Sequence, residues 1–115
     1  MALKITNRDV NGVSVVALDG CIVLGKETNA LREKLNSLIA QGEKKIVLNM
    51  DNIKYIDSAG LGTLIAAHFS AKMQGVSLRL SRPGSDCQDL LKVTKLLTVL
   101  DVCDTETAAA ANSSN

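Results

Sequence analysis

Apolar and polar residues alternate at the start of the chain, where Leu3 and Ile5 are interleaved with Lys4 and Thr6. A period of two marks a strand with one covered face. Asn11-Gly12 follows and suits the tight turn of a hairpin. Val13 to Leu18 then predicts a returning strand, and Asp19-Gly20 a second turn or bulge that leads into extended Cys21-Ile22-Val23-Leu24. After Gly25 the period changes. Ala30, Leu31, Leu35, Leu38 and Ile39 fall on one stripe of a helix over Glu27–Gln41, with Thr28 or a neighbour as its cap and Gly42 as its stop. The run Lys45-Ile46-Val47-Leu48-Asn49-Met50 predicts a central strand, and Asp51-Asn52 a turn. Leu61, Leu64, Ile65, Phe69 and Met73 predict a second helix that Gly75 ends. Val76, Leu78 and Leu80 alternate with Ser77, Arg79 and Ser81, which predicts a strand with one buried and one wet face. Beyond Arg82-Pro83-Gly84, Ser85 is placed to cap a third helix that buries Leu90, Leu91 and Val93. Leu96 to Leu100 return to the core, Val102 extends an edge segment, and a short alanine helix ends at Ala111.

The predicted order is therefore an N-terminal hairpin followed by strands that alternate with helices. Such alternation predicts a single α/β domain in which right-handed β-α-β crossovers leave the helices mainly on one face of a mixed sheet. The 115 residues fit one domain, with boundaries expected at residues 3 and 111 and a frayed tail over 112–115.

Composition narrows the function. One Phe, one Tyr and no Trp require an aliphatic core. A net charge of +1 gives no footprint for sequence-independent nucleic-acid binding. No apolar run reaches the length of a membrane span, and no basic stretch followed by an apolar one precedes the first strand. Cys21, Cys87 and Cys103 are widely spaced and His68 is the single histidine, so neither a disulfide framework nor a metal site has local support. These features point to a cytoplasmic protein with reduced thiols and no cofactor.

The unusual stretch is Tyr55-Ile56-Asp57-Ser58-Ala59-Gly60-Leu61-Gly62. Asp57-Ser58 reads as a helix cap, yet two glycines follow in the opening turn, each costing about 1 kcal/mol relative to alanine. Ser58 as the cap would hold the N–H groups of residues 60 and 61. Gly60 and Gly62 would bring the backbone close to a neighbouring strand or to a partner. No catalytic set accompanies the motif. There is no GxSxG elbow, and neither GxGxxG nor a P-loop lysine is present. His68 lies about 15 Å from Ser58 along a helix, too far for a dyad. Asp51 and Asp57 could face a hard cation, but a turn residue and a cap residue are the simpler reading. A helix N-terminus does favour anions, so a phosphate on Ser58 fits there without refolding the domain.

Asp57-Ser58-Ala59-Gly60-Leu61-Gly62, a few residues after Ile46-Val47-Leu48-Asn49-Met50, resembles the signature of STAS domains. More narrowly, it resembles that of the single-domain bacterial anti-sigma-factor antagonists. The resemblance runs from the opening hairpin, Asn11-Gly12-Val13 to Gly20, through Leu90 to Val102 to the alanine-rich end. It implies a chain that is not an enzyme. Unphosphorylated, such a protein binds an anti-sigma factor, commonly also a serine kinase with a GHKL-type ATP site, and so frees a sigma factor. The kinase phosphorylates the serine that matches Ser58 and the complex breaks. A metal-dependent serine phosphatase reverses the step.

The resemblance implies a partner-binding face made of Asp57, Ser58, Ala59, Gly60, Leu61 and Gly62, with Gly20, Ile22, Val23 and Leu24 beside them. The stretch Asp51 to Lys54 adjoins it, and Leu61, where partly exposed, supplies the apolar contact. Three positions depart from the family. Val23 stands where many members are acidic, Lys95 where glycine is frequent, and Ala59 where a second serine is common. The Val23 departure favours a rival reading, a non-switching STAS scaffold or transporter-accessory domain. A small nucleotide-binding or hydrolytic protein is a weaker third.

Overall fold

The computed structural model describes residues 2–81 and the short strand Val102–Cys103. The third helix predicted after Ser85, the alanine helix and the tail lie outside the described residues, as does Cys87. The hairpin forms as its pattern requires. Strand β1 (Leu3–Val10) turns at Asn11-Gly12, both with positive φ, and pairs antiparallel with β2 (Val13–Ile22). Helix α1 (Lys26–Ala40) leads to β3 (Lys45–Ile56), and α2 (Ser58–Met73) leads to β4 (Ser77–Ser81). With β5 (Val102–Cys103) the sheet has five strands in the order β1-β2-β3-β4-β5. β2, β3, β4 and β5 run parallel, so the sheet is mixed.

Register explains the core. Val16, Leu48 and Leu80 are aligned across β2, β3 and β4, with Ile46 beside Leu78. These residues pack with Leu31, Leu35 and Leu38 of α1 and with Leu61, Leu64 and Ala71 of α2. Both helices therefore cover one face. The opposite face is not wet as the alternation in β4 suggests. Val15 and Val47 are aligned with Arg79 there, and with Val13 they form a second buried cluster. Ser81 is fully buried on the same face as Arg79.

Of the two readings of Asp19-Gly20 the irregularity holds and the turn does not, since Cys21 and Ile22 belong to β2, which continues through Gly20 with register shifts on either side of Asp19-Gly20. Asp51-Asn52 makes no turn, because β3 continues to Ile56. The turn tendency is spent on an irregularity instead. Between the pairs Ala17↔Asn49 and Asp19↔Asn52, β3 advances one residue more than β2, and it does so again between Gly20↔Ile53 and Cys21↔Tyr55. The side-chain oxygen of Asn49 accepts the Asp51 N–H at 3.0 Å, which stabilises the first of these bulges. The shifted strand ends with Ile56 beside Ile22. That places Asp57 where β2 runs out.

Candidate functional site

The cap of α2 is Asp57, not Ser58. Asp57 has extended backbone and accepts the Gly60 N–H on Oδ1 at 2.7 Å, while its carbonyl accepts the Leu61 N–H at 2.9 Å. Its second carboxylate oxygen accepts the Leu24 N–H at 3.0 Å, and its own N–H donates to the Ile22 carbonyl at 3.3 Å. One residue thus ties the end of β2, the loop after it and the start of α2 together. The Gly60 N–H first, and the Leu24 N–H second, hold the Asp57 carboxyl below the usual carboxylate range.

Ser58 is thereby released from structural duty. It occupies the first turn of α2, exposed, and its hydroxyl makes no hydrogen bond among the described residues. The N–H groups at a helix start have no intrahelical partner and carry partial positive charge. The Asp57 carboxylate takes that of Gly60, and the Ala59 N–H also lowers its pKa, so the cap is made by Asp57 alone. The arrangement presents a free nucleophilic-side oxygen at an anion-tolerant position, next to one fixed carboxylate.

The two glycines have different causes. A Cβ on Gly60 would overlap the Ile22 carbonyl oxygen and lie 2.9 Å from both its carbon and the Ile22 Cγ2. Gly60 is therefore the close approach of α2 to β2. A Cβ on Gly62 would meet nothing within 4 Å, so no strand demands that glycine. Gly20 has φ +125°, and a Cβ there would overlap the carbonyl oxygen of Ala2. It serves the sheet edge, where Cys21 donates to that same oxygen at 3.1 Å.

The expected binding face is divided by the fold. Leu61 is only 6% exposed and joins the core, so it offers no apolar contact at the surface. Ile22 is fully buried because its side chain points under the first turn of α2, and Gly60 is buried with it. Gly20 and Val23 are half-buried, while Ser58, Gly62 and Leu24 are exposed, Leu24 to 76%. Leu24, not Leu61, is the exposed apolar side chain beside the Asp57 cap. The helical stripe is also rotated. Phe69 and Met73 face solvent, whereas His68 and Thr63 lie on the buried side. Thr63 belongs there because its hydroxyl donates to the Ala59 carbonyl at 2.9 Å. At α1, Gly25 sits at the cap without a side-chain bond, and the Thr28 hydroxyl donates back to its carbonyl at 3.0 Å. Asp51 and Asp57 belong to no group of three potential metal ligands among the described residues.

Residues 4–109 match the family model of the STAS domain. The anti-sigma factor antagonist named BtrV of Bordetella bronchiseptica is 27% identical over 110 residues, which span 95% of this chain and 93% of that protein. The anti-sigma-B factor antagonist of Bacillus subtilis is 33% identical over 72 residues, 63% of this chain and 65% of that protein. In fold, the chain is similar to a Thermotoga maritima protein named as an anti-sigma factor antagonist, with a TM-score of 0.87, 19% identity, and coverage of 96% and 95% of the two chains. It is also similar to the Bacillus cell fate determinant SpoIIAA in its phosphorylated form, with a TM-score of 0.69, 18% identity, and coverage of 93% and 96%. The family match spans nearly the whole chain and agrees with the mixed sheet and its one-sided helices, so this protein belongs to the STAS domain family.

Proposed function

We propose that this chain is a bacterial anti-sigma-factor antagonist whose switch is phosphorylation of Ser58, with residues 3–111 as the working domain. One observation carries the reading. The Asp57 carboxylate does the capping, and Ser58 is left exposed and unbonded at the start of α2. A serine needed for the cap could not be modified without loosening the helix. This one can be. The names of the relatives, and the existence of a phosphorylated form in a protein of the same fold, support the same reading.

The physical mechanism is local. A phosphoryl group adds about −1.5 to −2 charge at pH 7. The positive end of the helix dipole tolerates that charge, so the domain keeps its fold. Asp57 stands beside it, held ionised by two backbone donors. The surface formed by Asp57, Ser58, Ala59, Gly62, Val23 and Leu24 becomes strongly anionic. A partner face fitted to the neutral serine and to Leu24 then meets uncompensated charge and leaves. In this reading the chain is the substrate of a GHKL-type serine kinase that is itself the anti-sigma factor, and a metal-dependent phosphatase resets it in the cytoplasm. No helix among the described residues is long and apolar enough to cross a membrane.

The test is to incubate the protein with ATP and the GHKL-type kinases of its source organism, one at a time, and to follow intact mass. The reading expects one phosphoryl group from one kinase, located on Ser58 and absent in Ser58→Ala. Modification elsewhere, or none with any kinase, overturns it.

A further inference from the structure

We propose that the outward face of α2, from Ser58 to Met73, is a docking track for an α-helix of the anti-sigma partner. This rests on the reading of Ser58 above and extends that contact by about 22 Å along the helix.

At about 100° per residue, Ser58, Gly62, Phe69 and Met73 fall within roughly 60° of one another. They lie opposite the side that buries Leu64 and Ala71. Apolar residues run all the way round α2, a pattern that belongs to helices covered on every side. Yet Phe69 is 49% exposed and Met73 89%.

The relief of this face suits a helix. Gly62 and Ala66, one turn apart and both exposed, form a low floor, and a Cβ on Gly62 would meet nothing within 4 Å. Exposed Phe69 and Met73 stand beside it as a ridge at a spacing of four, continued by Ile65, which is half-buried against the core. Ridges at that spacing receive the grooves of another helix, and a floor of small residues lets the axes approach closely.

Area and charge select the occupant. A stripe about 22 Å long and about 10 Å wide covers far less than the ~800 Å² per partner of a stable complex, so a second copy held by this face alone is too weakly bound. The track is continuous with Ser58 and, through the Asp57 clamp, with exposed Leu24. A partner that reads Ser58 covers all of these together. Between Asp57 and Lys72 the helix carries no carboxylate, ammonium or guanidinium group. The complementary helix is therefore apolar along its length, with a basic group over Asp57 and an acidic one over Lys72.

The experiment replaces Gly62, Phe69 and Met73 in turn by the photo-crosslinking residue benzoyl-phenylalanine, with Glu33 on α1 as control, in cells of the source organism. Mass spectrometry of the crosslinked peptides reads the result. Crosslinks from all three α2 positions, but not from Glu33, into one helical segment of a protein with a GHKL-type ATP site are expected. Crosslinks from Gly62 alone overturn the track and leave the Ser58 reading intact. Crosslinks from Phe69 and Met73 to another copy of this chain assign the face to self-association and overturn the proposal. None from any position overturns both readings. The double variant Phe69→Glu, Met73→Glu, folded by circular dichroism, is expected to bind the captured kinase at least about 30-fold more weakly, and undiminished binding also overturns the track.

Discussion

Replacing Gly60 and Gly62 separately by alanine tests the account of the opening turn of α2. By helix propensity alone both variants should be more stable, each by about 1 kcal/mol. The structure separates them. At Gly62 the new methyl meets nothing within 4 Å, so the propensity gain stands. At Gly60 the methyl collides with backbone, overlapping the Ile22 carbonyl oxygen with its carbon 2.9 Å away. That carbonyl also accepts the Asp57 N–H at 3.3 Å, so β2 or the cap must move. Overpacking costs typically 1–3 kcal/mol, and a backbone obstacle places Gly60→Ala near the upper end. Subtracting the propensity gain leaves about 2 kcal/mol of destabilisation. The two variants should thus differ by about 3 kcal/mol, or roughly 12 °C in Tm at this chain length. Urea and thermal unfolding followed by far-UV circular dichroism measure this directly, since the chain has no Trp. If Gly60→Ala is as stable as the parent, or both variants move in the same direction, the close approach of α2 to β2 is refuted.

Ser58→Ala should change unfolding stability by no more than about 0.5 kcal/mol, because the hydroxyl caps nothing; a loss above 1 kcal/mol in urea titration would restore Ser58 as the cap. Asp57→Ala should lose both the cap and the Leu24 tie, seen as faster amide exchange at Gly60 and Leu24 together. The Asp57 carboxyl titrates lower in the folded protein than in the unfolded chain. Its stabilising contribution is therefore complete above the ordinary carboxylate value of about 3.9 and is lost as pH falls through the lower folded value. The stability gap between parent and Asp57→Ala should accordingly close on acidification, and a gap that widens below pH 4 contradicts the assignment. Leu61→Ala should cost about 2–5 kcal/mol as a core truncation, whereas Phe69→Ala should barely alter unfolding; equal effects would mean α2 is rotated.

The sequence pattern carried the strand and helix order well where one face is buried and period decides. Leu31, Leu35 and Leu38 on α1, and Leu78 and Leu80 on β4, are examples. It failed where two neighbours compete for one role. Asp57 and Ser58 are both good caps, and only the Leu24 N–H on the far side of the carboxylate settles which is used. That donor is 33 residues away and invisible to any local rule. In α2 apolar residues occur all round the helix, so period could not choose between Phe69 and Ala71 as the inner side; contact with β2 and β4 does. Asp51-Asn52 has turn chemistry, but continued pairing with β2 beyond Asn49 converts it to a bulge. For the glycines, sequence posed a close strand or a partner as alternatives, and the structure shows the close strand at Gly60 and open space at Gly62.

In the proposed switch, charge on Ser58 controls partner binding without altering the fold. The direct measurement is calorimetric titration of the cognate GHKL-type kinase with unphosphorylated protein and with protein phosphorylated stoichiometrically on Ser58, each checked by circular dichroism. Matching spectra are expected, with saturable binding by the unphosphorylated form and affinity at least about 100-fold lower for the phosphorylated one, the few kcal/mol expected of an unpaired charge in an interface. Equal affinity of the two forms would contradict the switch, as would a loss of binding accompanied by unfolding.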